Sequence, residues 1–390
     1  MTSAVGQGAR ILGAESIREK RIAAVSAGDA GVRALIERLW ALSLRGLPLM
    51  FKTAERQFAF TRRRTGATLG LEGLSARYGA IVLLGAQRLA QGEQRSLFGG
   101  ETATEFCERM IAAEGHLRNR GDAAMLAWAA AELQSTSLGR AMDILARFER
   151  ADTSRYTVDA AWTLSAHVAA GDHAKAASAA KALLSVAGSA GIFPHHTEAA
   201  AAGFWRSHVG CFADQVYPTQ ALARFGAAHR NQQALDAAAR CGARFCELQG
   251  TAGQWWWHYD ARNGQVTEGY PVYSVHQNSM APMALLDLAD AGGPLHRDAI
   301  VRGLKWLEHA PETGSSLIDD QESVIWRKVG RTDPAKFVRR ARACASRLAP
   351  SLRVRALDSI FPATRIDFES RPYHLGWILY SWTDRPKASA

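Results

Sequence analysis

The sequence predicts an all-α protein, an α/α toroid in which helical hairpins close into a barrel behind a helical N-terminal extension. Three observations predict it. Apolar residues three and four apart recur from about Ala30 onward, in runs of about ten to twenty residues punctuated by Gly, Pro or Asp. Ala and Leu far outweigh Val, Ile and Thr, which favours helix over strand. The hairpins also recur with a loose period of about 50 residues, as stacked helical pairs do. A closed ring is favoured over an open solenoid because closure gathers the loops at one central mouth.

In chain order, residues 1–30 read as a flexible or partly helical segment and residues 31–390 as a single toroid domain. Gly6 and Gly8 follow no strand, so they are not read as a phosphate loop. Helices are expected over 32–43, 123–133, 138–150, 158–170, 174–187, 220–228, 232–249, 280–291 and 297–309. Turn signals such as Ala170-Gly171-Asp172 and Ala291-Gly292-Gly293 end them. Nothing alternates strand with helix, which disfavours an α/β fold. At 390 residues and 47% hydrophobic, the chain is large enough to bury a sizeable core.

Composition excludes several classes. No apolar run approaches the roughly 20 residues of a membrane span, and no secretory signal pattern opens the chain, so cytoplasmic residence is the expectation. The five cysteines are odd in number and lack metal-ligand spacing, so neither a disulfide, a metal nor another cofactor is expected. The net charge of +10 is spread along the chain. Its clusters at Arg62-Arg63-Arg64 and Arg339-Arg340-Ala341-Arg342 read as solvated faces rather than a nucleic-acid surface.

The unusual chemistry lies between Gln249 and Gln277. Trp255, Trp256 and Trp257 are consecutive and cannot share one face of a helix or strand, so at least one ring must point to a cavity, groove or partner. His258, Tyr259 and Asp260 follow, then Glu268, Tyr270, Tyr273, His276 and Gln277.

Gln249-x-x-x-Gly253-x-Trp255 resembles the Gln/Trp turn of terpenoid cyclases, and Arg302 to Leu307 resembles a helix of the same toroid. The order of helix, Gly-x-Trp, aromatic and acidic loop, Glu and Ala/Met-rich helix is similar to six-hairpin glycosidases. The likeness spans about residues 110–310 and implies concentric helices around a central cavity. Indole rings there suit either the apolar face of a pyranose or a carbocation.

The leading expectation is a carbohydrate-active, glycosidase-like enzyme working on an anionic glycan or oligosaccharide. Asp260 with Glu268, or Asp319 and Asp320, would supply the two carboxyl groups of glycoside chemistry, with His258 as a further acid/base. Trp255, Trp256, Trp257, Tyr259, Tyr270, Tyr273, His276, Gln277, His208, Asp214, Arg77 and Tyr373 would bind substrate. Alternatives are a terpenoid cyclase or prenyl-binding enzyme, and a non-catalytic glycan-binding toroid. Leu317 and Ser323 interrupt the two acidic motifs that isoprenoid enzymes use, which tilts the reading toward sugar. The aspartates could also simply begin a helix.

Overall fold

The computed structural model describes residues 18–151, 155–349, 352, 354 and 356–384. Residues 1–17, with most of the expected N-terminal segment and the Gly6/Gly8 pair, lie outside them. Helix α1 (Glu19–Ser26) precedes six pairs of outer and inner helices. These are α2 (Ala30–Gly46) with α3 (Ala76–Ala86), and, after the short α4 (Gln91–Leu97), α5 (Ala103–Ala112) with α6 (Arg120–Glu132). Next come α7 (Leu138–Arg150) with α8 (Thr157–Ala170), α9 (His173–Ser185) with α10 (Ala213–His229), and α11 (Gln232–Glu247) with α12 (Ala281–Asp290). The last outer helix, α13 (Arg297–Glu308), is followed by α14 (Phe337–Leu348) and the short α15 (Ala356–Ile360) before the inner α16 (Pro372–Trp382).

The six inner helices touch in the order α3, α6, α8, α10, α12, α16 and back to α3, so the ring is closed. Their composition explains their place. Helix α16 is buried from Pro372 to Trp382 except at Tyr373, and α6 is buried from Gly121 to Ala131. A helix apolar on all sides must sit inside. By contrast α7 buries only Ala141, Ile144 and Leu145, one stripe against the ring. Closure between α3 and α16 needs Gly85, because a Cβ there would lie 2.3 Å from the carbonyl oxygen of Gly376.

Caps readable in the sequence start the helices. Asp29, Ser75, Asn119, Asp172 and Asn231 each accept a hydrogen bond from a backbone N–H of the first turn. Helix α10 begins at Ala213 rather than at residue 220, and carries Pro218 inside it. Tertiary packing there overrides the helix-breaking tendency of proline: every residue from Asp214 to Ala223 is buried in the ring. A single π turn, His276–Met280, precedes α12.

Inner helices pass to outer ones mostly through short turns at one end. Outer helices pass to inner ones through longer connections at the other end. The longest of these carry the strands that a purely helical reading omits, such as the three-stranded sheet formed by Val209–Cys211, His258–Asp260 and Val266–Glu268. Buried connecting backbone must pair its N–H and C=O groups, and short antiparallel ladders do so. Helix α14 packs on Val266–Glu268 and caps this end of the barrel.

The Gln/Trp turn bolts two outer helices together. Gln249 Nε2 donates to the carbonyls of Gly253 and Ala299, and Arg302 donates to Gln249 Oε1. Trp255 is fully buried between Phe212 and Phe245. Gly253 has φ +98° and an added Cβ would lie 2.1 Å from the Arg302 carbonyl oxygen. Gly253→Ala is therefore expected to destabilise the protein by about 1–3 kcal/mol through backbone strain, read as a lower denaturation midpoint. An unchanged midpoint would contradict this role of the turn.

At the opposite end, α1 plugs the barrel through one buried cation. Arg21 is 2% exposed and donates to Asp287 (2.5 Å), Asp290 (2.7 Å) and the carbonyl of Ser381 (2.8 Å). These acceptors lie toward the C-terminal ends of α12 and α16, where the helix dipoles also favour a cation.

Candidate active site at the mouth of the ring

The N-terminal ends of the inner helices and the long connections between helices form a bowl lined by aromatic rings, histidines and arginines. Backbone pairing of Cys211 with His258 brings the 209–211 strand, and Asp214 just beyond it, beside the aromatic segment. Trp257 stacks on His258 with centroids 5.4 Å apart and on His276 at 5.8 Å and 10° between planes. Tyr273 closes on the same pair, 4.8 Å from Trp257 and 5.1 Å from His276. Across the bowl, α16 and α3 contribute Tyr373 and Tyr78, 4.6 Å apart, and Phe60 stacks on Tyr78. The Tyr78 hydroxyl accepts from Arg371.

Of the three consecutive tryptophans, Trp255 is core, Trp256 packs edge-on to Tyr270, and Trp257 belongs to the bowl. Tyr259, on the opposite pleat from His258, is fully buried against Phe212 and offers a substrate nothing. Gln277 is also inward, holding the Trp255 N–H and the Tyr273 carbonyl.

The carboxylates singled out by the sequence are tied to cations. Asp260 is 2% exposed and accepts from Arg262, whose guanidinium also reaches the Ser346 carbonyl in α14. His208 hydrogen-bonds Ser346 Oγ at 2.9 Å and lies 4.0 Å from Asp260. Desolvation lowers the His208 pKa to about 4 despite Asp260. These three residues lash the loops to the cap helix. Glu268, 1% exposed rather than solvated, bridges Arg331 and Arg342. Arg342 is thus engaged, whereas Arg340 remains exposed as expected of a solvated face. Asp260 and Glu268 therefore do not face one another across an open gap.

Asp319 and Asp320 do not begin a helix and are not in the bowl. Asp320 pairs with Arg38 and Arg45 of outer α2, and Asp319 with Arg64. Arg77 is held by Asp122 and Asn119 and lies over the Trp162 ring. Glu369, which no sequence pattern marks, accepts from Arg63, Arg327 and Arg371.

The histidines divide into two kinds. His195 Nδ1 lies 2.9 Å from Asp214 Oδ2, and His195 keeps 36% of its side chain exposed. Burial works against its charge, but Asp214 outweighs that and raises the pKa above the ordinary value. His258, His276 and His374 are at most 3% exposed. Burial drives each pKa down, to about 3 for His276, and nearby Arg206 and Arg339 push His258 further the same way. His258 and His374 have buried ring nitrogens without a hydrogen-bond partner among the described residues, both nitrogens in His374. The His374 ring lies edge-on to Tyr373 with centroids 4.5 Å apart, which sets it behind the bowl's wall.

His195, Cys211 and Asp214 bring one ligand atom each within 4.8 Å of one another, a set able to hold a metal ion. Asp214 Oδ2 already accepts from the Cys211 N–H and meets His195, while Asp214 Oδ1 has no hydrogen-bond partner among the described residues. The sequence around His195 and His374 assigns neither a role. The pairing of one with Asp214 and the isolation of the other among rings are set by residues distant in the chain, so no local signal marks them.

No protein-family model matches this chain and no curated protein matches it. Solved structures do. A sugar epimerase from a ruminal bacterium aligns at TM-score 0.58 and 10% identity, over 89% of this chain and 97% of that one. The cellobiose 2-epimerase of Bacillus thermoamylovorans aligns at TM-score 0.57 and 9% identity, over 86% and 94%. A possible GH105 family member from Salmonella enterica aligns at TM-score 0.52 and 10% identity, over 89% and 92%. Matched over nearly its whole described length, the chain has the α/α-toroid fold of these structures.

Proposed function

We propose that this protein is a carbohydrate-active enzyme that moves a proton at a sugar carbon, using histidines at the mouth of the ring. The observation that carries this is the split among the imidazoles. His195, beside Asp214, favours its charged form, whereas His258, His276 and His374 are buried and neutral. Titratable groups whose surroundings push their pKa values apart are suited to act as acid and base.

In this reading the sugar ring lies on Trp257 and Tyr273. A neutral imidazole, His258 being the one that feels His195, removes the proton from the carbon beside the open-chain carbonyl. His195 in its charged form donates to the carbonyl oxygen as the enediol forms. Water on the other face delivers a proton to that carbon as the enediol hydroxyl returns its proton to His195, and the protonated His258 releases the proton it took to solvent, so the carbon is inverted and the protons balance. The epimerases among the similar structures support the same chemistry. Arginines around the bowl, Arg206, Arg327, Arg339 and Arg371, favour a substrate carrying negative charge.

Incubating the protein with reducing mono- and disaccharides in D2O tests this. The expected result is deuterium at the carbon beside the carbonyl and appearance of the epimer by NMR. Unlabelled, unchanged sugars across the panel would sink it. Hydrolysis is the second reading, favoured by the GH105-like structure, but it needs two carboxyl groups across an open gap, which Asp260 and Glu268, each held by arginine, do not form. It predicts shortened products without deuterium at that carbon.

The described residues contain no helix long and apolar enough to cross a membrane.

A further inference from the structure

Beside the bowl lies a cavity of about 260 Å3 whose lining includes Arg327, Lys328, Arg331, Lys336 and Arg339 against only two carboxylates, Glu268 and Asp333. Its volume is below the roughly 300–1,000 Å3 of pockets for drug-sized ligands, so it suits one small group rather than an oligomer. Tyr273 is one wall, and the same ring contacts Trp257 and His276 in the bowl. The cavity and the candidate active site therefore share the Tyr273 ring as a common wall.

Most of the charges are already engaged from behind. Glu268 is shared between Arg331 and Arg342, and Arg327 and Lys328 lean on Asp367. Asp333 accepts from the Val338 N–H. Arg339 is half-buried and, like Lys336, has no ion pair among the described residues. Half-burying a guanidinium without a carboxylate costs free energy that a bound anion recovers. Desolvation lowers the pKa of Arg339, and Arg206 and Arg340 add to this against the pull of Tyr273 and Asp333, neither of which forms an ion pair with it. Desolvation and Arg327 similarly depress Lys328. A negative charge in the cavity relieves both.

We infer that this cavity is an anion-docking subsite, in which Arg339 and Lys336 hold the carboxylate or phosphate of an acidic sugar while its ring lies over Trp257. The inference rests on the carbohydrate reading for the sugar, but the anion site can be measured without it. Arg339 projects from the cap helix α14 and Lys336 from the turn before it, so the subsite is completed only when the cap is seated.

Isothermal titration with inorganic phosphate, glucuronate, glucose 6-phosphate and glucose tests it in the intact protein. Phosphate is expected to bind, and at least one acidic sugar to bind about ten-fold or more tighter than glucose, the effect of one good charge contact. Arg339→Gln and the exposed Lys336→Gln should each weaken phosphate and close most of the gap between acidic and neutral sugar. Comparing the two acidic sugars tells carboxylate from phosphate. Absence of phosphate binding, or phosphate binding unaltered in both variants, overturns the subsite whatever the sugars do. Phosphate binding that depends on Arg339, with no sugar bound and no deuterium exchange, keeps the anion site and overturns the carbohydrate reading instead.

Discussion

His195→Gln is expected to lower kcat by about 10²- to 10⁴-fold, the usual contribution of a positioned acid or base, while leaving the fold intact. His195 is partly exposed, and the substitution removes its hydrogen bond to Asp214. The pH profile separates a chemical role from a structural one. Asp214 holds the His195 pKa above 6.5 against desolvation, so the charged acid is present at lower pH and disappears as pH rises through that raised value. Activity should therefore fall on the alkaline side above 6.5. In Asp214→Asn burial and Arg206 lower the pKa against only the weaker pull of Asp159, so the alkaline limb should move to lower pH. An alkaline limb that stays in place in Asp214→Asn would remove His195 from the mechanism. The three buried histidines are neutral across the same range, so the acid limb should lie well below it.

The second large effect is on stability. Arg21→Met is expected to destabilise the protein by about 3–5 kcal/mol, because it removes the buried guanidinium that donates directly to Asp287 and Asp290. Asp287 is 5% exposed; the Gln220 amide at 2.9 Å and the Tyr380 hydroxyl at 3.3 Å also contact it, and Arg224, which holds the same hydroxyl, acts on it from farther away. Chemical denaturation of wild type and variant measures it. A loss below about 1 kcal/mol, the range of surface ion pairs, would mean that α1 does not seal the barrel. Replacing Arg21 and Asp287 together with apolar residues should recover part of the loss, since the buried carboxylate is then removed with its direct donor.

Much of the architecture is legible in the sequence because it is written in local patterns. The outer helices α7, α11 and α13 show one apolar stripe each, and the inner α6 and α16 are apolar throughout. The expected hairpins at 138–150 and 158–170 correspond to Leu138–Arg150 and Thr157–Ala170. The start of α10 was hidden by Pro218, and the short strands by their length of two to five residues. Such strands carry too few residues for a period to show.

The candidate site was legible only in outline. Three tryptophans in a row required that one ring leave the core, and Trp257 is that ring. The sequence could not say that the neighbouring carboxylates would be claimed by arginines. Arg331 and Arg342 reach Glu268 from 63 and 74 residues away. Nor could it pair Asp214 with a histidine on the far side of a long connection, or place His374 beside His276.

What the sequence alone determined is the ring: helix periods, caps and glycine turns are local, and each acts within a few residues. What the tertiary structure decided is the chemistry. Whether a carboxylate is a spent partner or a working acid, and whether an imidazole is charged or neutral, depends on desolvation and on charges brought in by distant segments. Those interactions exist only once the ring has closed and the cap helix has settled over its mouth.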